Sequence, residues 1–127
     1  MAVYGLRKDR NSDAEDAVRM ALATIEEIND FNRAEKFDLN VRVGVHSGPV
    51  IGGVIGESRF MYDMWGDTVN VASRMEAGGI PGSVQISETT YDLIKLVPDF
   101  TCMPRGRIQV KGKGEMNTWL LDLTEEY

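Results

Sequence analysis

The chain has 127 residues of which 43% are hydrophobic, the makings of one domain that buries roughly two-thirds of its unfolded surface. With 14 Lys and Arg against 20 Asp and Glu, its net charge of -6 repels phosphate backbones and anionic bilayers, which excludes general nucleic-acid binding. Cys102 is the only cysteine, which rules out an internal disulfide or a sulfur-bound zinc site, and no apolar run approaches the ~20 residues that span a bilayer. A cytoplasmic setting is expected, and a membrane-attached parent protein stays open.

Met1 to Leu6 alternates as a strand or the end of one, and Arg7 to Asn11 is a polar turn. Ser12-Asp13-Ala14-Glu15 fits a capping box, and Ala14, Val18, Ala21, Ile25 and Ile28 follow at helical spacing, which predicts a helix to about Asn32. Leu39 to Val45 alternates as a half-buried strand, and Val50 to Ile55 is a second apolar stretch broken by Gly52-Gly53. Asp67 is suited to cap a second helix from Thr68 to about Ala77, ended by Gly78-Gly79 and Pro81. Val84 to Ile86 reads as a short strand and Ser87 to Leu96 as a short helix opened by Ser87. Three short strands are expected beyond it, Phe100 to Met103, Arg107 to Val110 and Asn117 to Leu123. This order predicts an α+β fold of helices packed on one sheet, without internal repeat or interdomain linker.

The richest chemistry falls between Tyr62 and Glu76. At 100° per residue Val69, Val71, Ala72 and Met75 share one arc, whereas Asn70 and Arg74, spaced i and i+4, project together from the other side. The Arg fork and the Asn amide can hold a phosphoryl oxygen and a sugar oxygen at once; a solvated helix face is the competing reading. Asp63, between Tyr62 and the apolar pair Met64-Trp65, needs a donor. The exocyclic amine of adenine would serve, where guanine presents an acceptor, and so would the backbone amides of a turn. Arg105, Arg107, Lys111 and Lys113 share one parity opposite Ile108 and Val110, a cationic face suited to polyphosphate or to guarding a sheet edge. His46, the only histidine, follows an alternating strand and reads as structural. The glycines from Gly48 to Gly56 lack the order of a dinucleotide loop and mark bends and close packing.

Three runs together, Val43-Gly44-Val45-His46-Ser47-Gly48-Pro49-Val50, Tyr62 to Glu76, and Val110-Lys111-Gly112-Lys113-Gly114, closely resemble the class III adenylyl and guanylyl cyclases. The resemblance covers essentially the whole chain, so residues 1–127 are expected to form one partial cyclase catalytic domain. It implies a ferredoxin-like α+β fold, truncated at its N-terminus, with helices on a mainly antiparallel sheet. It also implies the reaction, in which the ribose 3′-hydroxyl of ATP attacks the α-phosphorus to give 3′,5′-cyclic AMP and pyrophosphate, assisted by Mg²⁺ or Mn²⁺. By resemblance, Asp63 contacts adenine, Asn70 positions the ribose, Arg74 stabilises the α-phosphoryl group in the transition state, and Lys111 contacts the triphosphate.

Family sites form between two head-to-tail domains, as a homodimer or heterodimer, one domain giving the metal carboxylates and the other the Asn and Arg. The metal-binding Asp residues of the pattern would precede Met1, so none is expected in this chain, nor is the Lys that assists adenine recognition. Met1 to Gly5 resembles the strand that follows the second metal Asp. Loss of the front strand is expected to expose unpaired sheet edge and apolar surface, and self-association would cover them. Two functions follow: half of an adenylyl cyclase site, inactive or nearly so alone, or a non-catalytic module that pairs with and regulates a complete cyclase domain.

Overall fold

Asp13, Glu15 and Asp16 place negative charge in the first turn of helix α1 (Asp13–Glu35), where the helix dipole is positive, and Arg33 lies in its last turn. A computed structural model describes residues 13–48, 59–110 and 114–123, with the backbone alone for 59–66 and 123. Met1 to Leu6, Ser12 of the expected capping box and the Val50 to Ile55 stretch lie outside the described residues. α1 runs past Asn32 to Glu35 and is stopped by Lys36, whose φ of 56° is the left-handed conformation that ends a helix. The Asn32 amide then binds Leu39 twice, donating to its carbonyl at 2.8 Å and accepting from its N–H at 3.0 Å. Both backbone groups of Leu39 are thereby taken up outside the sheet, and strand β1 covers only Val43–Val45 instead of the longer strand expected.

β1 pairs in parallel with β2 (Val84–Ser87), which precedes helix α3 (Glu88–Ile94). Strands β3 (Phe100–Val110) and β4 (Gly114–Leu123) complete a sheet of order β1-β2-β4-β3, its other pairings antiparallel. The three expected strands at the C-terminal end are therefore two. A register shift between Pro104 and Gly106, with Gly106 at φ 130°, lets one strand run through the apparent break. The α+β architecture with a mainly antiparallel sheet agrees with the reading from sequence, but helices cover both faces. Val84 and Ile86 join Val18 and Ala21 of α1, Ile94 of α3, Phe100 and Leu121 in one core, over which Tyr91 and Trp119 stack with centroids 4.2 Å apart. Cys102 packs against this core, and burial pushes its thiol pKa up. Gln85, between Val84 and Ile86, points to the opposite face and donates to the Met75 carbonyl of helix α2 (Arg59–Ala77). Val71 and Met75 pack there on Val110.

Gly44 sets how closely α2 approaches. A methyl group on it would overlap the Glu76 amide nitrogen and come within 2.5 Å of the Met75 carbonyl carbon. Because both are helix backbone, no rotamer change relieves the overlap and α2 must shift. Gly44→Ala is expected to destabilise the chain by about 1–3 kcal/mol, read as a lower denaturation midpoint in urea; an unchanged midpoint would mean that α2 does not lie against β1.

Candidate functional site

Helix α2 carries the candidate chemistry. It starts at Arg59, well before the Asp67 expected as its cap, so Asp67 and Asp63 both lie within it. The stretch from Arg59 to Trp65 holds no proline or glycine to break a helix, and Gly66 is tolerated inside it at a cost of about 1 kcal/mol. Asp63 sits two turns before Asn70, roughly 10 Å along the axis, and its side chain lies outside those described.

The C-terminal turn is fully accounted for. Among its last carbonyls, Arg74 accepts from Gly78 N–H at 2.9 Å, Met75 from the Gln85 amide at 2.8 Å, Glu76 from Gly79 N–H at 3.0 Å and Ala77 from Arg42 at 3.5 Å. Arg42 also pairs with the Glu76 carboxylate at 3.5 Å. The helix end is thereby tied to β2 and to the segment leading into β1.

Asn70 and Arg74 are both exposed, one turn apart on the flank away from Val71 and Met75. Neither side chain makes a hydrogen bond or ion pair with a described residue. The structure thus brings these two together with their donors available. Lys111, with Lys113, lies outside the described residues. The cationic row expected around it does not form as read: Arg107 pairs with Glu115 at 3.3 Å and lies 3.4 Å from the Asn117 side-chain oxygen, and Arg105 turns to the end of α2. The bulge at Arg105 breaks the strict alternation on which that reading rested.

His46 is structural, as its sequence position suggested. Its Nδ1 lies 2.7 Å from Ser87 Oγ and 3.3 Å from Thr89 Oγ1, and Ser47 Oγ lies 2.8 Å from Thr90 Oγ1. These contacts tie the loop after β1 to the start of α3. Ser87 precedes α3 but makes no side-chain cap; its hydroxyl is taken up by this cluster.

A cleft of about 1020 Å³ opens between α1 and α2 along β1, lined by Ala14, Ala17, Val43, Val45, Thr68 and Ala72 among others. Asn70 and Arg74 are not part of its wall. Among the described strands β1 has a neighbour on one side only. Among the described residues no group of three or more His, Cys, Asp or Glu side chains converges as a metal site would.

A family model for the adenylate and guanylate cyclase catalytic domain matches residues 1–123, and the chain belongs to that family. It is 52% identical over 81 residues to an adenylate cyclase of Mycobacterium tuberculosis, covering 64% of this chain and 18% of that protein. It is 36% identical over 123 residues to the receptor-type guanylate cyclase gcy-28 of Caenorhabditis elegans, covering 95% of this chain and 10% of that protein. The crystal structure of the guanylate cyclase domain of RhGC from Catenaria anguillulae in complex with GTP superposes with a TM-score of 0.77 at 37% identity, covering 96% of this chain and 66% of that one. The chain thus spans a fifth or less of the length of these two curated relatives.

Two residues that hold the site together were not singled out from the sequence. Gln85 gave one signal: a lone amide between aliphatic residues in a short strand must be buried and must find partners. Gly44, inside an alternating strand, marked a close backbone approach without saying to what.

Proposed function

We propose that this chain supplies the nucleotide-reading and transition-state half of an adenylyl cyclase site, completed head-to-tail by a second cyclase domain. The observation that carries the proposal is the exposed Asn70 and Arg74 pair on a helix whose end is fully bonded, in a chain of the cyclase family. Asn70 holds a ribose oxygen, which orients the 3′-hydroxyl toward the α-phosphorus. As that oxygen attacks and the bond to pyrophosphate breaks, negative charge grows on the α-phosphoryl oxygens, and the Arg74 guanidinium meets it with paired N–H donors. Lys111 contacts phosphates already charged in the ground state. The carboxylates for the divalent ions belong to the partner domain. Residues 1–127 in this reading are one partial catalytic domain.

Choice of ATP over GTP rests on Asp63, whose carboxylate accepts from the adenine amine and repels the guanine carbonyl. The paired enzyme is expected to prefer ATP, and Asp63→Cys to narrow the ratio of kcat/KM for ATP over GTP by roughly 10- to 100-fold. Equal cyclisation of GTP and ATP by the unmodified enzyme would show the assignment to be wrong. Lys111→Ala is expected to raise KM for ATP with kcat nearly unchanged, since it removes binding common to ground state and transition state; steady-state kinetics showing a lower kcat at constant KM would reverse that role.

A further inference from the structure

Two polar side chains outside that reading converge on the end of α2. Gln85 is 0% exposed, and a buried amide needs a partner at each end. Its Nε2 donates to the Met75 carbonyl at 2.8 Å, and its Oε1 accepts from Arg105 Nη1, which also donates to the Gly78 carbonyl. Arg105 reaches across because it is the extra residue of the bulge: Pro104 pairs with Trp119 and Gly106 with Thr118, so Arg105 has no counterpart on β4 and its side chain leaves the strand's alternation. Met75 is joined to Arg74 by one peptide bond, and the Gly78 N–H donates to the Arg74 carbonyl at 2.9 Å. One Arg105 bond therefore ends on Gly78, which closes the turn that carries the Arg74 guanidinium, and the other on the Gln85 amide that holds the Met75 carbonyl of the same turn.

From this geometry we infer that Gln85 and Arg105 are positioning residues for Arg74, a clamp that fixes the last turn of α2 along its axis. The inference rests on the cyclase reading of Arg74. Val71, Met75 and Gly44 hold the helix against the sheet, but apolar packing is not directional and tolerates sliding. Directed bonds from two strands do not. Placement matters because a shift of ~1 Å at a transition-state contact can cost on the order of 100-fold in rate.

Arg105→Met keeps the aliphatic stem at an exposed position and removes the donors. Hydrogen exchange on the purified chain is expected to show the Gly78 and Gly79 amides exchanging roughly fivefold faster or more, with the Val71 amide unchanged. In the paired enzyme the same substitution is expected to lower kcat by about tenfold with KM for ATP within about twofold. In an Arg74→Ala background it should have no further effect on kcat, because the group it positions is gone. Gln85→Glu, which keeps the acceptor for Arg105 but sets an oxygen against the Met75 carbonyl, should give the same kinetic pattern. Unchanged exchange at Gly78 and Gly79 would overturn the clamp, and a raised KM at constant kcat would make Arg105 a phosphate contact. A kcat loss persisting undiminished in Arg74→Ala would sever it from Arg74. If Arg74→Ala by itself left kcat unchanged while Arg105→Met still sped exchange, the cyclase reading of Arg74 would fail and the clamp would stand as structural.

Discussion

Arg74→Ala is expected to lower kcat of the paired enzyme by roughly 100- to 1000-fold, the loss typical of removing one preorganised donor to developing charge, with KM for ATP within about twofold. The split follows from when the contact strengthens. A guanidinium aimed at the α-phosphoryl oxygens gains most as the 3′-oxygen attacks and charge builds there, so ground-state binding loses little. The fold should survive the change. Arg74 is exposed and its side chain bonds to no described residue, while the helix end is held through backbone carbonyls that alanine retains. Equal melting temperatures for the two proteins check that point, and steady-state kinetics check the rest. Arg74→Lys should recover only part of the rate, because an ammonium offers a point charge where the fork offers paired donors. A raised KM at constant kcat would assign the guanidinium to ground-state phosphate instead.

Much of this architecture was legible in the sequence because its signals are local. The 3.6-residue spacing of Val18, Ala21 and Ile25 named α1, and the i, i+4 spacing of Asn70 and Arg74 put both on one flank of α2, where they are found exposed. The short β2 was visible as an aliphatic pair around an amide, whereas the partners that Gln85 finds were not. What escaped depends on contacts between distant segments. Whether Arg105 points to solvent or to Gly78 is decided by a bulge, and a bulge is defined against β4, not within β3. Ser87 carries the composition of a helix cap, yet its hydroxyl goes to His46, a residue far away in the chain. Leu39 lies outside β1 with both backbone groups taken up by Asn32, bonds that alternation of side chains cannot reveal. The start of α2 was missed for a different reason: Asp67 followed by Thr68 is good capping chemistry, but nothing before it breaks the helix, and the longer helix prevails.

The chain alone is expected to make cyclic AMP at a rate lower by several orders of magnitude than a complete cyclase, even as a homodimer with Mg²⁺ or Mn²⁺. Positioned divalent ions contribute several kcal/mol to such a step, and each 1.4 kcal/mol is about tenfold in rate. Two copies bring Asn70 and Arg74 twice, whereas in the proposed site the metal-binding carboxylates come from the partner domain. A partner domain that keeps its metal-binding Asp residues but lacks its own Asn and Arg has the complementary deficit. Head-to-tail docking of the two would assemble one whole site. The direct measurement is cyclic AMP production from ATP by each protein separately, by the mixture, and by the mixture with Arg74→Ala in this chain, alongside sedimentation to verify that the pair associates. The account predicts negligible turnover by either protein alone, robust turnover by the mixture, and its loss with Arg74→Ala. Robust turnover by this chain alone would contradict it, and an associated but inactive pair would make the chain a pairing module instead of half a catalyst.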